Sequence, residues 1–260
     1  MIENLYKFVG LFYRYYFRCQ IEGLENIPGD KNVLIVTNHS GLIPWEIPLF
    51  FYAWKKHFGK SRPLYGLAHQ IAFEWPMIKS ILPKCGAIPA NPENAKAALI
   101  SGKDLIVYPG GEKECLRPFW EHKKVQFYNR QGFLRVASET KSPIVTMTTK
   151  NSHLTYIILN RGKFIADLLG FPKKYRIHFL PITLGALAFF GFGILKILGS
   201  TLDGFPNIST WWLIASLFCA ALPWPRKIKF QIHKPFEVSP ETELQYYYQQ
   251  TTDLIQSELR

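Results

Sequence analysis

Short apolar runs rich in β-branched residues alternate along this chain with segments of helical periodicity. Val33–Thr37, Leu64–Leu67, Ala87–Ile88, Leu105–Tyr108 and Ile144–Thr148 predict strands. Between them, Pro44–His57, Ile71–Ile81, Pro92–Ile100 and Gly132–Thr140 predict helices, the first opened by a proline in its first turn. The strand runs are nearly continuous in apolar residues, as strands covered on both faces are. Their alternation with helices predicts an α/β fold, a mostly parallel sheet flanked by helices. Lys227–His233 alternates like a further strand, and Glu241–Leu259 reads as a helix with a polar face.

Two regions depart from this pattern. Leu5–Arg18 is aromatic and basic throughout. It is too short and charged to span a bilayer, and it suits either an interfacial helix or one packed on the sheet. Phe179–Leu195 is a run of 17 residues without a charge, and Trp211–Trp224 one of 14. Each falls short of the roughly 20 residues of a spanning helix. Pro181, Gly185, Gly191 and Gly193 weaken the first as a helix, while Lys196, Asp203, Gly204, Pro206 and Asn207 break the two apart. A shallow hairpin in one leaflet, a true span and a buried core all fit. The expected organisation is a membrane-interfacial helix over 1–20 and one domain over 21–260, with an apolar membrane-associating insertion near 179–224.

A chain of 260 residues suffices for one large α/β domain. Its net charge of +12 calls for an anionic partner. Because basic residues are interleaved with apolar stretches, an acidic membrane surface fits better than nucleic acid, for which no motif is present. Cys19, Cys85, Cys115 and Cys219 are widely spaced and read as reduced thiols of a protein at the cytoplasmic face of a membrane. Glu3, Lys7 and Arg14 interrupt the apolar core that a secretory leader requires.

The candidate chemistry lies at two strand exits, where open α/β sheets place their sites. Asn38-His39-Ser40 follows the first strand, and Glu46 stands seven residues beyond His39. A neutral imidazole accepts a proton from a hydroxyl near neutral pH, provided that an acceptor such as Glu46 holds its other nitrogen. Pro109-Gly110-Gly111 follows the second predicted strand and lets backbone N–H groups approach a ligand. Lys113, Glu114 and Arg117 then stand in reach of a polar headgroup or the nucleotide of an acyl carrier. Neither a GxSxG elbow nor a nucleotide-binding glycine loop occurs, and the histidines show no metal spacing. Cys115 lacks an obvious partner base.

Five blocks in order then resemble the lysophospholipid and glycerophospholipid acyltransferase superfamily. Gly23-Leu24-Glu25-Asn26-Ile27-Pro28 resembles its lead-in to the first strand. Asn38-His39-Ser40-Gly41 through Pro44-Trp45-Glu46 resembles the histidine–acid motif, and Gly86–Pro89 with Ala95–Leu99 the second block. Pro109-Gly110-Gly111-Glu112-Lys113-Glu114 resembles the glycine block, and Gly132–Ala137 with Pro143-Ile144-Val145 the last. The commonest family spacing puts an aspartate where Pro44 stands; here the acid is Glu46, where the closer branch has aspartate.

The resemblance implies a membrane-associated O-acyltransferase in which His39 is the general base and Glu46 its orienting acid. Asn38, Ser40, Pro109, Gly110, Gly111, Lys113, Glu114 and Arg117 are the expected substrate contacts. An acyl-CoA or acyl carrier protein would be co-substrate, with no cofactor and no metal. Pro-Gly-Gly in place of Pro-Glu-Gly resembles the branch that includes neutral-lipid acyltransferases, so the acceptor is a lysophospholipid or an acylglycerol. A catalytically inactive lipid-binding protein of the same fold is the alternative, and an ester hydrolase sharing the dyad is a third reading.

Overall fold

Apolar residues alternate across the central strands. Val33 and Ile35 join Ile106, Val145, Met147 and Phe230 on one face of the sheet. Leu34 and Val36 join Leu105, Val107 and Ile144 on the other. Both sets are buried, so each face needs a helical layer, and the chain supplies two. The computed structural model describes residues 2–41, 43–74, 79–175, 177–201, 209–239 and 241–260, leaving aside the side chains at 174 and 217–221.

The strands of the main sheet are β1 (Gln20–Glu22), β2 (Leu34–Thr37), β3 (Leu64–Ala68), β4 (Ala87–Pro89), β5 (Asp104–Val107), β6 (Ile144–Lys150) and, after the small pair below, β9 (Lys229–Ile232). Their spatial order is β1-β9-β6-β2-β5-β3-β4. All pairings are parallel except β6 with β9. β7 (Ile158–Gly162) and β8 (Leu180–Thr183) form a separate antiparallel pair.

On one face lie α1 (Ile2–Leu11) and α2 (Glu46–Phe58). α2 buries Leu49, Phe50, Ala53 and Trp54. With Glu46 in its first turn and Lys55, Lys56 and His57 in its last, its charges complement the helix dipole. Pro44 precedes the helix rather than opening it. A short helix, α3, covers only Ile71–Glu74 of the expected 71–81, and residues 75–78 lie outside the described ones. The opposite face is covered by α4 (Pro92–Ile100), α6 (Gly132–Thr140) and α11 (Leu244–Leu259). α4 starts where the Asn91 side chain accepts the N–H of Asn94 at 2.7 Å. Between α4 and α6, α5 (Gly111–Cys115) follows directly on the glycine turn.

The N-terminal segment is both packed and exposed. α1 continues as a wider turn over Phe12–Tyr16 and docks on α2. Gly10 is needed there, since a Cβ would come within 2.7 Å of the Tyr52 ring. Leu5, Phe8, Leu11 and Tyr15 are left exposed.

After α7 (Lys163–Leu168) and α8 (Phe171–Tyr175), the apolar insertion differs from expectation. Pro181 falls in β8, and α9 (Leu184–Thr201) runs for 18 residues through Gly185, Gly191 and Gly193. It packs on α10 (Thr210–Ala221), with the Phe192 and Trp212 rings 5.7 Å apart. By length and composition α9 suffices to cross a membrane, yet almost none of it is buried in the protein. The polar break at 202–208 lies outside the described residues. Cys19, Cys85 and Cys115 are free thiols; the side chain of Cys219 is not described.

Candidate active site

β2 and β5 are neighbours in parallel register, Leu34 opposite Leu105. Their carboxyl ends therefore deliver Asn38-His39-Ser40 and Tyr108-Pro109-Gly110 to the same edge. From β2 the chain runs to β3, on the β5 side, and from β5 it crosses to β6, on the other side of β2. Such a reversal opens a crevice beyond the strand ends. α2 begins at this edge, and Glu46 is its first residue.

His39 Nδ1 lies 2.9 Å from Glu46 Oε1, which also accepts the backbone N–H of Ser40 at 3.0 Å. A carboxylate only accepts, so the neutral ring carries its proton on Nδ1 and offers Nε2 as a base. Glu46 is buried at 1% exposure. Burial opposes the charged imidazolium, but adjacent Cys115 and Glu46 outweigh it and hold the His39 pKa well above its ordinary value. The Glu46 carboxylate gains a charged partner when the ring protonates.

The turn bearing His39 is held from below. The fully buried carboxylate of Glu114 accepts the N–H groups of His39 and Gln126, each at 3.0 Å. Burial raises the Glu114 pKa, against the pull of Arg117 and these N–H groups. Arg117, also fully buried, donates to the carbonyls of His39 (2.5 Å), Glu114 (2.9 Å) and Glu121 (3.0 Å). Cys115 donates its thiol to the Gly41 carbonyl at 2.7 Å. Glu114, Cys115 and Arg117 thus brace the turn of β2 against the glycine turn of β5.

The other expected contacts divide. Asn38 is buried and exchanges two hydrogen bonds with the backbone of Thr149, locking the end of β2 to β6. The Ser40 hydroxyl pairs with that of Ser152. Gly110 has no room for a side chain, because a Cβ would fall 2.1 Å from Glu114 Oε2. Gly111 adopts φ +55° and sends its N–H to Tyr108. The Lys113 ammonium sits 4.1 Å over the Tyr128 ring, and Arg130 caps the carbonyls of Pro109 and Gly110. Glu114 and Arg117, expected at a headgroup, are instead enclosed and committed to backbone groups, since a buried charge needs that compensation.

Three further participants had no role assigned from the sequence. Tyr108 packs its ring on His39, Glu112 accepts the N–H groups of His178 and Phe179, and His153 is buried beside Ser152. Tyr108 stood one residue before the glycine turn, a signal that was available. The other two depend on contacts with chain 66 residues or more distant, or on burial, which no local pattern shows. The contacts of Glu112 tie the glycine turn to β8 at the base of the apolar insertion. Among the described residues, no group of three or more His, Cys, Asp or Glu is placed to hold a metal ion.

Residues 18–150, just over half of the chain, match the sequence model of the Acyltransferase family. The chain belongs to that family. An uncharacterized protein of Mycobacterium tuberculosis (strain H37Rv) is 33% identical over 172 residues, covering 66% of this chain and 46% of that protein. The "DGAT1/2-independent enzyme synthesizing storage lipids" of Bos taurus is 30% identical over 163 residues, covering 63% of this chain and 47% of that protein. The matched stretch spans about half the length of these relatives. Among solved structures, the 1-acyl-sn-glycerophosphate (LPA) acyltransferase PlsC of Thermotoga maritima aligns with a TM-score of 0.57 at 16% identity, covering 99% of this chain and 78% of that one. The likeness shows a shared fold over nearly the whole of this chain.

Proposed function

We propose that this acyltransferase is a membrane-associated enzyme that moves a fatty acyl chain from an acyl thioester to a hydroxyl of a glycerolipid, with His39 as general base. The observation that carries the reading is the 2.9 Å contact between His39 and Glu46 at the strand exit. In a single step, His39 Nε2 takes the hydroxyl proton as the acceptor oxygen attacks the thioester carbonyl carbon. A C–O bond forms, the C–S bond breaks, and the departing thiolate takes the proton back from Nε2. Glu46 holds the ring and stabilises the imidazolium between these events.

An uncharged acceptor, an acylglycerol ahead of a lysophospholipid, fits the cations around the glycine turn. Arg117 is enclosed, Arg161 pairs with Glu121 and Tyr128, and Lys113 lies on Tyr128. The storage-lipid relatives favour the same acceptor class. Exposed Phe190, Ile194, Ile197, Trp211 and Trp212 on α9 and α10 support insertion into a leaflet. The free thiols fit the cytoplasmic face.

The test uses detergent-purified protein, radiolabelled long-chain acyl-CoA and a panel of monoacylglycerol, diacylglycerol and lysophospholipids, run beside His39→Ala. A histidine-dependent product is the expected result and names the acceptor. If neither acyl-CoA nor an acyl carrier protein thioester yields product with any acceptor, the chain is a lipid-binding member of the family.

A further inference from the structure

Tyr108 has no role in the chemistry above, yet it touches the proposed base. Its ring lies against the His39 imidazole, centroids 4.6 Å apart and planes at 40°. Its hydroxyl is buried and finds no hydrogen-bond partner among the described residues. Leaving a buried donor unpaired destabilises the free protein, and native folds rarely keep such a group without a reason. Its charged and thiol neighbours are turned elsewhere: Glu46 Oε1 holds His39 and Ser40, and Cys115 donates to the Gly41 carbonyl.

Resting on the acyl-transfer reading, we propose that the Tyr108 hydroxyl is a catalytic hydrogen-bond donor, satisfied when the thioester carbonyl oxygen binds beside His39 and takes on negative charge. The ring contact places Tyr108 against the base that the carbonyl under attack must approach. Burial above all, and the proximity of Glu46 and Cys115, hold the phenol pKa well above its usual value. Tyr108 therefore keeps its proton throughout and donates without transferring it. A donor aimed at charge that develops only in the transition state accelerates the step without tightening substrate binding.

Tyr108→Phe keeps the ring and removes only the hydroxyl. With the acceptor identified by the panel above, kcat is expected to fall about 10²-fold while KM stays within about twofold. The acid limb of kcat/KM should stay in place, because Cys115 and Glu46, not Tyr108, raise the His39 pKa. Tm should rise by about 2–4 °C, since an unpaired buried group is gone. A structural tyrosine would give the opposite sign of Tm change. Unchanged kcat in Tyr108→Phe beside an inactive His39→Ala would overturn this proposal alone. A shifted acid limb would also overturn it, by showing that Tyr108 acts through His39. An inactive parent protein would remove both this proposal and the reading beneath it.

Discussion

Two turns meet where Ser40 touches Ser152, and each carries an enclosed histidine. In the first turn, His39 has a carboxylate 2.9 Å from Nδ1, and its pKa stands well above the ordinary value. In the second, His153 is 2% exposed and its Nε2 faces the Pro118 carbonyl at 3.3 Å. Its Nδ1 has no partner among the described residues. Burial, reinforced by the Arg117 guanidinium, lowers its pKa to about 3. Arg117 serves both turns, since the same guanidinium holds the His39 carbonyl. Burial beside a guanidinium therefore favours the neutral imidazole, and burial beside a carboxylate favours the charged one. The difference lies in the neighbours, Cys115 and Glu46 beside His39 and Arg117 beside His153.

The comparison breaks most sharply at the base itself. His39→Ala is expected to lower kcat/KM by about 10³-fold or more, in the labelled acyl-CoA assay, with an unchanged far-ultraviolet circular dichroism spectrum. Substantial residual activity would mean that another group takes the proton.

Glu46→Gln should turn His39 partway toward the condition of His153. Activity is expected to fall about 10²-fold. Wild-type kcat/KM rises with pH through the raised His39 pKa, where the base becomes neutral. Loss of the carboxylate disfavours the imidazolium, so the acid limb of Glu46→Gln should move to lower pH even as the plateau drops. A limb that stays fixed would assign the raised pKa to something other than Glu46.

The two histidines also act on stability with opposite signs. The raised pKa of His39 contributes stability below the unfolded-state value near 6.5, and that contribution is lost as pH rises through the folded pKa. The lowered pKa of His153 costs stability as pH falls below about 6.5, because the unfolded chain then binds the extra proton. Between pH 6.5 and pH 5 the cost of His153 alone is about 2 kcal/mol. His153→Leu should remove most of this acid sensitivity in urea unfolding at the two pH values. An unaltered pH dependence would place the protonation elsewhere.

The smallest effect is expected at Cys115. Its thiol braces Gly41, so Cys115→Ala should retain activity within about threefold while lowering Tm slightly. Loss of transfer comparable to that of His39→Ala, with a labelled thioester trapped on the parent protein, would instead require an acyl-enzyme.

Much of this was legible in the chain. The α/β class followed from apolar runs alternating with helical periods. The central strands and helices stand within a few residues of their expected bounds, and α6 matches its expected span, because local periodicity registers which face each segment buries. His39 and Glu46 were readable because the strand exit and the start of α2 lie in one local stretch. The helix over 71–81 was overextended, and α9 was undervalued. The apolar run of α9 outweighs the glycines that weaken a helix, and exposed apolar length does not register as periodicity.

The sequence by itself determined the composition of each face and the two strand exits and offered Glu46 as a partner for His39, since these depend on neighbours along the chain. Only the tertiary structure decided that β2 and β5 lie side by side, that Glu114 and Arg117 turn inward, and that His153 and Tyr108 flank the site. Those outcomes rest on strand order and burial, and residues about 70 or more apart become neighbours only when the sheet is assembled. A charged side chain seeks solvent or a headgroup when exposed and backbone partners when enclosed, and the fold makes that choice.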